Sequence, residues 1–127
     1  MPTLTIQAAL LKGSAPRAAI VVLTGGVAVD TLAQFQDTLS KMKKFGVLRF
    51  VLDLTNVTFM NSTALGCMVE IADTVTAQGG CVALVNVQPK VQVVLDMLGL
   101  NAFFQTFETR DAAYASLGVS ASSPEGA

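Results

Sequence analysis

The stretch Phe50-Val-Leu-Asp-Leu-Thr-Asn-Val-Thr-Phe-Met-Asn-Ser-Thr-Ala-Leu-Gly66 decides how this chain folds. Phe50 to Leu54 is apolar apart from Asp53 and contains the β-branched Val51, so it reads as a buried strand. A short polar turn is expected after it. Asn61, Ser62 and Thr63 are all N-cap residue types, and a helical apolar pattern begins at Leu65. The start of a helix offers unpaired backbone N–H groups and a partial positive charge. A hydroxyl placed there is well sited to carry or contact a phosphate.

Upstream, Leu4 to Leu11 predicts a first strand, and Lys12 to Arg17 a turn cluster. Ala18 to Leu23 predicts a second strand in a hairpin with the first, ended by Gly25-Gly26. Leu32, Phe35, Leu39 and Met42 recur at helical spacing, giving a helix from about Asp30 to Lys44 that Gly46 stops. Val47 to Leu54 is then the central strand, its near-continuous apolarity implying burial on both faces.

Downstream, Leu65, Met68, Val69, Ala72 and Val75 form the inner stripe of a helix from Ser62 to Ala77, closed by Gly79-Gly80. Cys81 to Val85 is a fourth strand. Pro89 opens a third helix with Val91, Val94, Leu95 and Leu98 on one face. Phe104 to Phe107 is a short fifth strand, and Thr109 caps a last helix carrying Tyr114 and Leu117. Alternation after the first hairpin implies an α/β fold: a mostly parallel, mixed five-stranded sheet with about four helices, mainly on one face. One domain over residues 1–119 is expected. Residues 120–127 are small and polar with Pro and Gly, which predicts a mobile tail.

Composition narrows the chemistry. The chain has 127 residues, 52% of them hydrophobic and 13% charged, as a folded domain with a substantial core requires. A net charge of −1 argues against a nucleic-acid footprint or a polybasic membrane patch. Lys41, Lys43, Lys44 and Arg49 form one small basic group, best read as solvating a helix end. No histidine is present, which removes His-based acid–base catalysis, phosphohistidine relays and His metal sites. Cys67 and Cys81 are too few for a disulfide scaffold or Cys-rich metal site, and both read as small core residues. No leader or spanning segment is read, so a cytoplasmic protein without membrane insertion is expected. No metal or cofactor is called for.

Each candidate for chemistry has a structural alternative. Gly25-Gly26 lies between a predicted strand and helix, yet no Lys-Ser/Thr follows and no spaced glycines accompany it, so a plain turn is the stronger reading. Asp53 could hold a metal or act as a base, but a turn-stabilising carboxylate accepting backbone N–H groups is the simpler reading. Ser62 lacks any activating base and any Gly-x-Ser-x-Gly elbow. On local sequence alone, Asn61 or Ser62 serves as an N-cap.

The run from Val51 to Gly66 resembles the signature of the STAS family, the bacterial anti-sigma factor antagonists. That signature is an apolar strand ending in Asp-Leu, followed by V-x-F-M/I-D-S-S/T-G-L-G. Val22-Leu-Thr-Gly-Gly26, Gly79-Gly-Cys-Val-Ala-Leu-Val85 and the Val91–Phe104 segment, with Asp96-Met-Leu-Gly-Leu100, are similar to further family segments. The likeness covers Leu4 to about Leu117.

The resemblance implies a non-enzymatic regulator of transcription that binds an anti-sigma factor. That partner, also a serine kinase, would phosphorylate Ser62, with Thr63 the alternative acceptor, and a phosphatase would reverse the step. The implied partner surface includes Gly25, Gly26, Asn61, Ser62, Thr63 and Ala64, with Asp53 in support. Asn61 stands where the family usually has Asp, and Ala64 where it usually has Gly. Those departures leave open a STAS module of a signalling or transporter complex that binds with no phosphate cycle. A third reading, a small enzyme or nucleotide-binding domain using Asp53, Ser62 and Thr63, is disfavoured by the missing His, P-loop and second carboxylate.

Overall fold

The computed structural model describes residues 4–13 and 15–121. The chain runs β1 (Leu4–Lys12), β2 (Arg17–Val27), α1 (Leu32–Lys44), β3 (Val47–Met60), α2 (Ser62–Ala77) and β4 (Cys81–Val85). It continues through α3 (Pro89–Met97), a 3₁₀ turn (Leu100–Phe103), β5 (Gln105–Phe107), α4 (Arg110–Leu117) and β6 (Ser120–Ala121). The strands form one sheet in the order β5-β4-β3-β2-β1-β6. β1 is antiparallel to β2 and β6, while β2, β3, β4 and β5 are mutually parallel.

All five expected strands and four helices are present. The sheet also gains a sixth, because Ser120 and Ala121 pair with Lys12 and Leu11. Residues 122–127, the remainder of the expected tail, lie outside the described residues.

The helices divide three to one. Phe35 and Leu39 of α1, Leu65 and Met68 of α2, and Val91 and Leu95 of α3 pack on Leu23, Phe50, Leu52 and Leu54 in the larger core. On the other face, α4 places Ala113 over Ile20, Val51, Ala83 and Val85. Burying the central strands on both faces explains the unbroken apolar run of β3 and β4. Gly80 lets β4 start close to β3, since a Cβ there would meet the Leu48 carbonyl oxygen at 1.9 Å.

Two expectations change at the ends of β2 and β3. The polar turn expected after Leu54 is strand: β3 continues to Met60, with Val57 and Met60 buried. Gly25-Gly26 accordingly lies inside β2, not in a loop. Thr24, Gly25, Gly26 and Val27 pair with Asn56, Val57, Phe59 and Met60, with register shifts at Val22/Thr24 and Gly25/Gly26. Bulges of this kind spoil the alternation that marks a strand in sequence. Gly25, at φ 112, takes a backbone conformation open to glycine and costly for other residues.

Candidate functional site

The parallel pairing of β2 and β3 carries straight into α2. The Asn61 N–H donates to the Val27 carbonyl at 2.9 Å, so the last bond of the sheet fixes the residue that caps the helix. Asn61 is extended (φ −76, ψ 169), and its Oδ1 accepts the Ala64 N–H at 2.7 Å. Its own carbonyl accepts the Leu65 N–H at 3.1 Å, the first helical bond. This is N-cap geometry, as the sequence implies.

Ser62 and Thr63 come next, both exposed. Their backbone N–H groups have no acceptor among the described residues. The first turn of α2 has no acidic side chain. The arrangement is therefore an open, electropositive helix tip carrying two accessible hydroxyls. An anion at either hydroxyl would meet those N–H groups.

The other expected site residues divide by depth. Asn61 and Gly25 are half-buried, while Gly26 and Ala64 are buried and form the base beneath the tip. Thr31 fixes the neighbouring β2–α1 connection: its Oγ1 donates to the Gly26 carbonyl at 2.7 Å and accepts the Ala28 N–H at 3.0 Å. Two residues were missed by sequence reasoning. Phe59 is 54% exposed and Val29 is 88% exposed, at the same end of the sheet as Ser62. The bulge that spoils strand alternation also hides the outward turn of Phe59.

Asp53 is brought to a different place. Its Oδ1 accepts the Thr55 N–H at 3.0 Å and the Thr55 hydroxyl at 2.6 Å. Its Oδ2 accepts the Arg110 Nε–H at 2.6 Å, an ion pair between β3 and the start of α4. Burial pushes this carboxyl upward, but the bonds from Thr55 and the charge and bond of Arg110 outweigh it, holding Asp53 below its usual range. Asp53 does accept a backbone N–H, but from Thr55 inside β3, where the expected turn is replaced by strand, and the arginine partner is an addition. Nothing in the sequence near Asp53 signals a partner in the last helix.

Asp53 faces α4, whereas α2 packs on the opposite face of the sheet. The two are not assembled into one catalytic group. Burial raises the Cys67 thiol, with Glu70 adding to it, and burial likewise raises Cys81, as suits protonated structural cysteines. Among the described residues no group of His, Cys, Asp and Glu is placed to hold a metal ion. Among the described residues no helix is long and apolar enough to cross a membrane.

Known proteins share this architecture. The solved anti-sigma factor antagonist of Mycobacterium paratuberculosis has the same fold, with TM-score 0.74 and 18% identity over 90% of this chain and 93% of that one. The unphosphorylated form of the anti-sigma factor antagonist SpoIIAA aligns with TM-score 0.71 and 19% identity, over 90% and 97% of the two chains. The phosphorylated form of SpoIIAA, a Bacillus cell fate determinant, aligns with TM-score 0.67 and 18% identity, over 89% and 99%. No protein of curated function matches by sequence. The model of the STAS domain matches residues 11–113, most of the chain. This chain therefore belongs to the STAS domain family.

Proposed function

We propose that the chain is an anti-sigma factor antagonist whose docking is switched by phosphorylation at Ser62. The observation that carries this reading is the exposed Ser62–Thr63 pair on an α2 tip with two uncommitted N–H groups. In the unmodified state, Asn61, Ser62, Thr63 and Gly25 form the polar part of the docking surface. Gly26 and Ala64 shape its floor, and Phe59 and Val29 add apolar area. Asp53 supports this end of the sheet from the opposite face.

A phosphate adds nearly two negative charges and a hydrated group. The helix tip accommodates it within this domain. A docked partner would have to desolvate it, and acidic groups across the interface would repel it. A cost of about 4 kcal/mol lowers affinity on the order of 1,000-fold. No refolding is needed, and the similarity of this fold to both forms of SpoIIAA agrees with a rigid-body switch.

The partner in this reading is an anti-sigma factor that is also a serine kinase, with a phosphatase restoring the unmodified form, all in the cytoplasm. Incubation with such kinases from the source genome and ATP, followed by mass spectrometry, tests it. Phosphate on Ser62, or on Thr63 as the secondary acceptor, is expected. A chain that binds the kinase and takes no label at either position contradicts the switch.

A second reading is a STAS module that binds constitutively within a signalling or transporter complex. The uncharged cap Asn61 favours it, because the first turn then offers no carboxylate to orient a kinase. Unchanged partner binding by Ser62→Asp would select this reading.

A further inference from the structure

Thr31 and Asp53 are the two buried polar side chains among the described residues. Asp53 fastens α4 to the sheet through Arg110. Thr31 stands at the N-cap of α1, where a threonine hydroxyl ordinarily accepts an N–H of the helix's first turn. It makes no such bond. Its backbone is turned to φ −117, ψ −4, and its hydroxyl reaches back to β2 instead. Oγ1 donates to the Gly26 carbonyl at 2.7 Å and accepts the Ala28 N–H at 3.0 Å. A cap residue that leaves its own helix uncapped breaks a local rule, and such breaks concentrate at functional places.

Gly26 and Ala28 are the chain neighbours of Val27. The Val27 carbonyl accepts the Asn61 N–H at 2.9 Å, the bond that sets the cap of α2 beside Ser62. One hydroxyl thus brackets the residue from which the Ser62 tip is hung. On its other side the same residue closes a turn. The Thr31 N–H donates to the Ala28 carbonyl at 3.1 Å, so Val29 and Asp30 form the crown, both exposed.

We infer that Thr31 is a positioning residue for the docking surface: its hydroxyl locks the turn that carries Val29 to the anchor that carries Ser62, so a partner meets both in one fixed arrangement. The inference rests on the docking role proposed above for the α2 tip. Without the hydroxyl, the Gly26 carbonyl loses this donor and the Ala28 N–H its acceptor, and the turn spends part of its time open. A partner that needs the closed form then sees its apparent affinity reduced by the closed fraction. Once the closed form is bound, the phosphoryl transfer itself is unaltered.

Native-state hydrogen exchange of the full chain tests the lock with no partner present. Thr31→Val keeps the shape and removes the hydroxyl, and should lower protection of the Asn61 amide on the order of tenfold. Ladder amides of β3 and β4 should stay unchanged, and Thr31→Ser should restore Asn61. In the wild type, the Ala28 and Asn61 amides should lose protection at the same denaturant concentration, a readout that needs no variant to fold. An Asn61 amide indifferent to Thr31→Val, or opening apart from Ala28 in the wild type, overturns the inference. Steady-state phosphorylation of Ser62 by an anti-sigma factor kinase then separates positioning from bulk stability. Thr31→Val should raise KM on the order of tenfold with kcat unchanged, and Thr31→Ser should reverse it. Thr109→Ala, which weakens the cap of α4, should move neither constant. A KM unmoved by Thr31→Val, or moved equally by Thr109→Ala, overturns the inference and leaves the docking reading intact. Coupled exchange in a chain whose Ser62 no such kinase labels overturns the docking reading and leaves the lock standing.

Discussion

The starts of α2 and α4 share a cap and differ in the residues just inside it. Asn61 Oδ1 accepts the Ala64 N–H at 2.7 Å, and Thr109 Oγ1 accepts the Ala112 N–H at 3.1 Å. At α4 the next residue is Arg110, whose Nε–H is held by buried Asp53 at 2.6 Å. At α2 the next residues are Ser62 and Thr63, exposed and without a charged neighbour in the turn. One helix start has its electrostatics met inside the domain, so it fastens structure. The other is left open, so a charge added from outside meets no competing internal partner.

The contrast can be broken most forcefully at the open end. Ser62→Asp places a permanent charge on the tip and should weaken binding to an anti-sigma factor roughly 100-fold, about 3 kcal/mol, by titration calorimetry. The fold should be unaffected, because the position is exposed and an acid suits a helix start.

The next effect comes from opening the closed end. Asp53→Ala removes the acceptor of both Thr55 and Arg110. Arg110 is 40% exposed and regains water, so the loss is discounted to about 1–2 kcal/mol in denaturant unfolding. The pH dependence has a definite sign. The folded carboxyl lies below its ordinary 3.8, so its contribution is fully present above that value and is lost as pH falls through the folded value. The wild type should lose more stability than Asp53→Ala in that acid window.

Smaller effects sharpen the cap itself. Asn61→Ala removes the acceptor of the Ala64 N–H and should cost about 1 kcal/mol. Asn61→Asp keeps the cap, adds a charge at the positive end of α2, and should stabilise by about 0.5 kcal/mol at low salt. That gain should shrink as salt is added.

Much of the fold was legible in the chain. The bounds of α2 and β4 follow from the N-cap cluster before Leu65 and the double glycine before Cys81, because local chemistry fixes both. The caps at Asn61 and Thr109 were readable for the same reason. The extension of β3 to Met60 was not, because Thr55, Asn56 and Thr58 look like a turn until β2 supplies bulged partners. The two-residue β6 is too short to carry a pattern. The Asp53–Arg110 pair joins residues 57 apart, and only the tertiary fold brings them together. The exposed tip of Ser62 was inferable as a helix start, whereas the outward turn of Phe59 depends on the bulge beside Gly26.

The most direct measurement installs phosphoserine at position 62 through an expanded genetic code and titrates both forms into one anti-sigma factor by calorimetry. The account predicts an affinity on the order of 1,000-fold lower for the phosphorylated form, with superimposable circular dichroism spectra. Equal affinities for the two forms would contradict it.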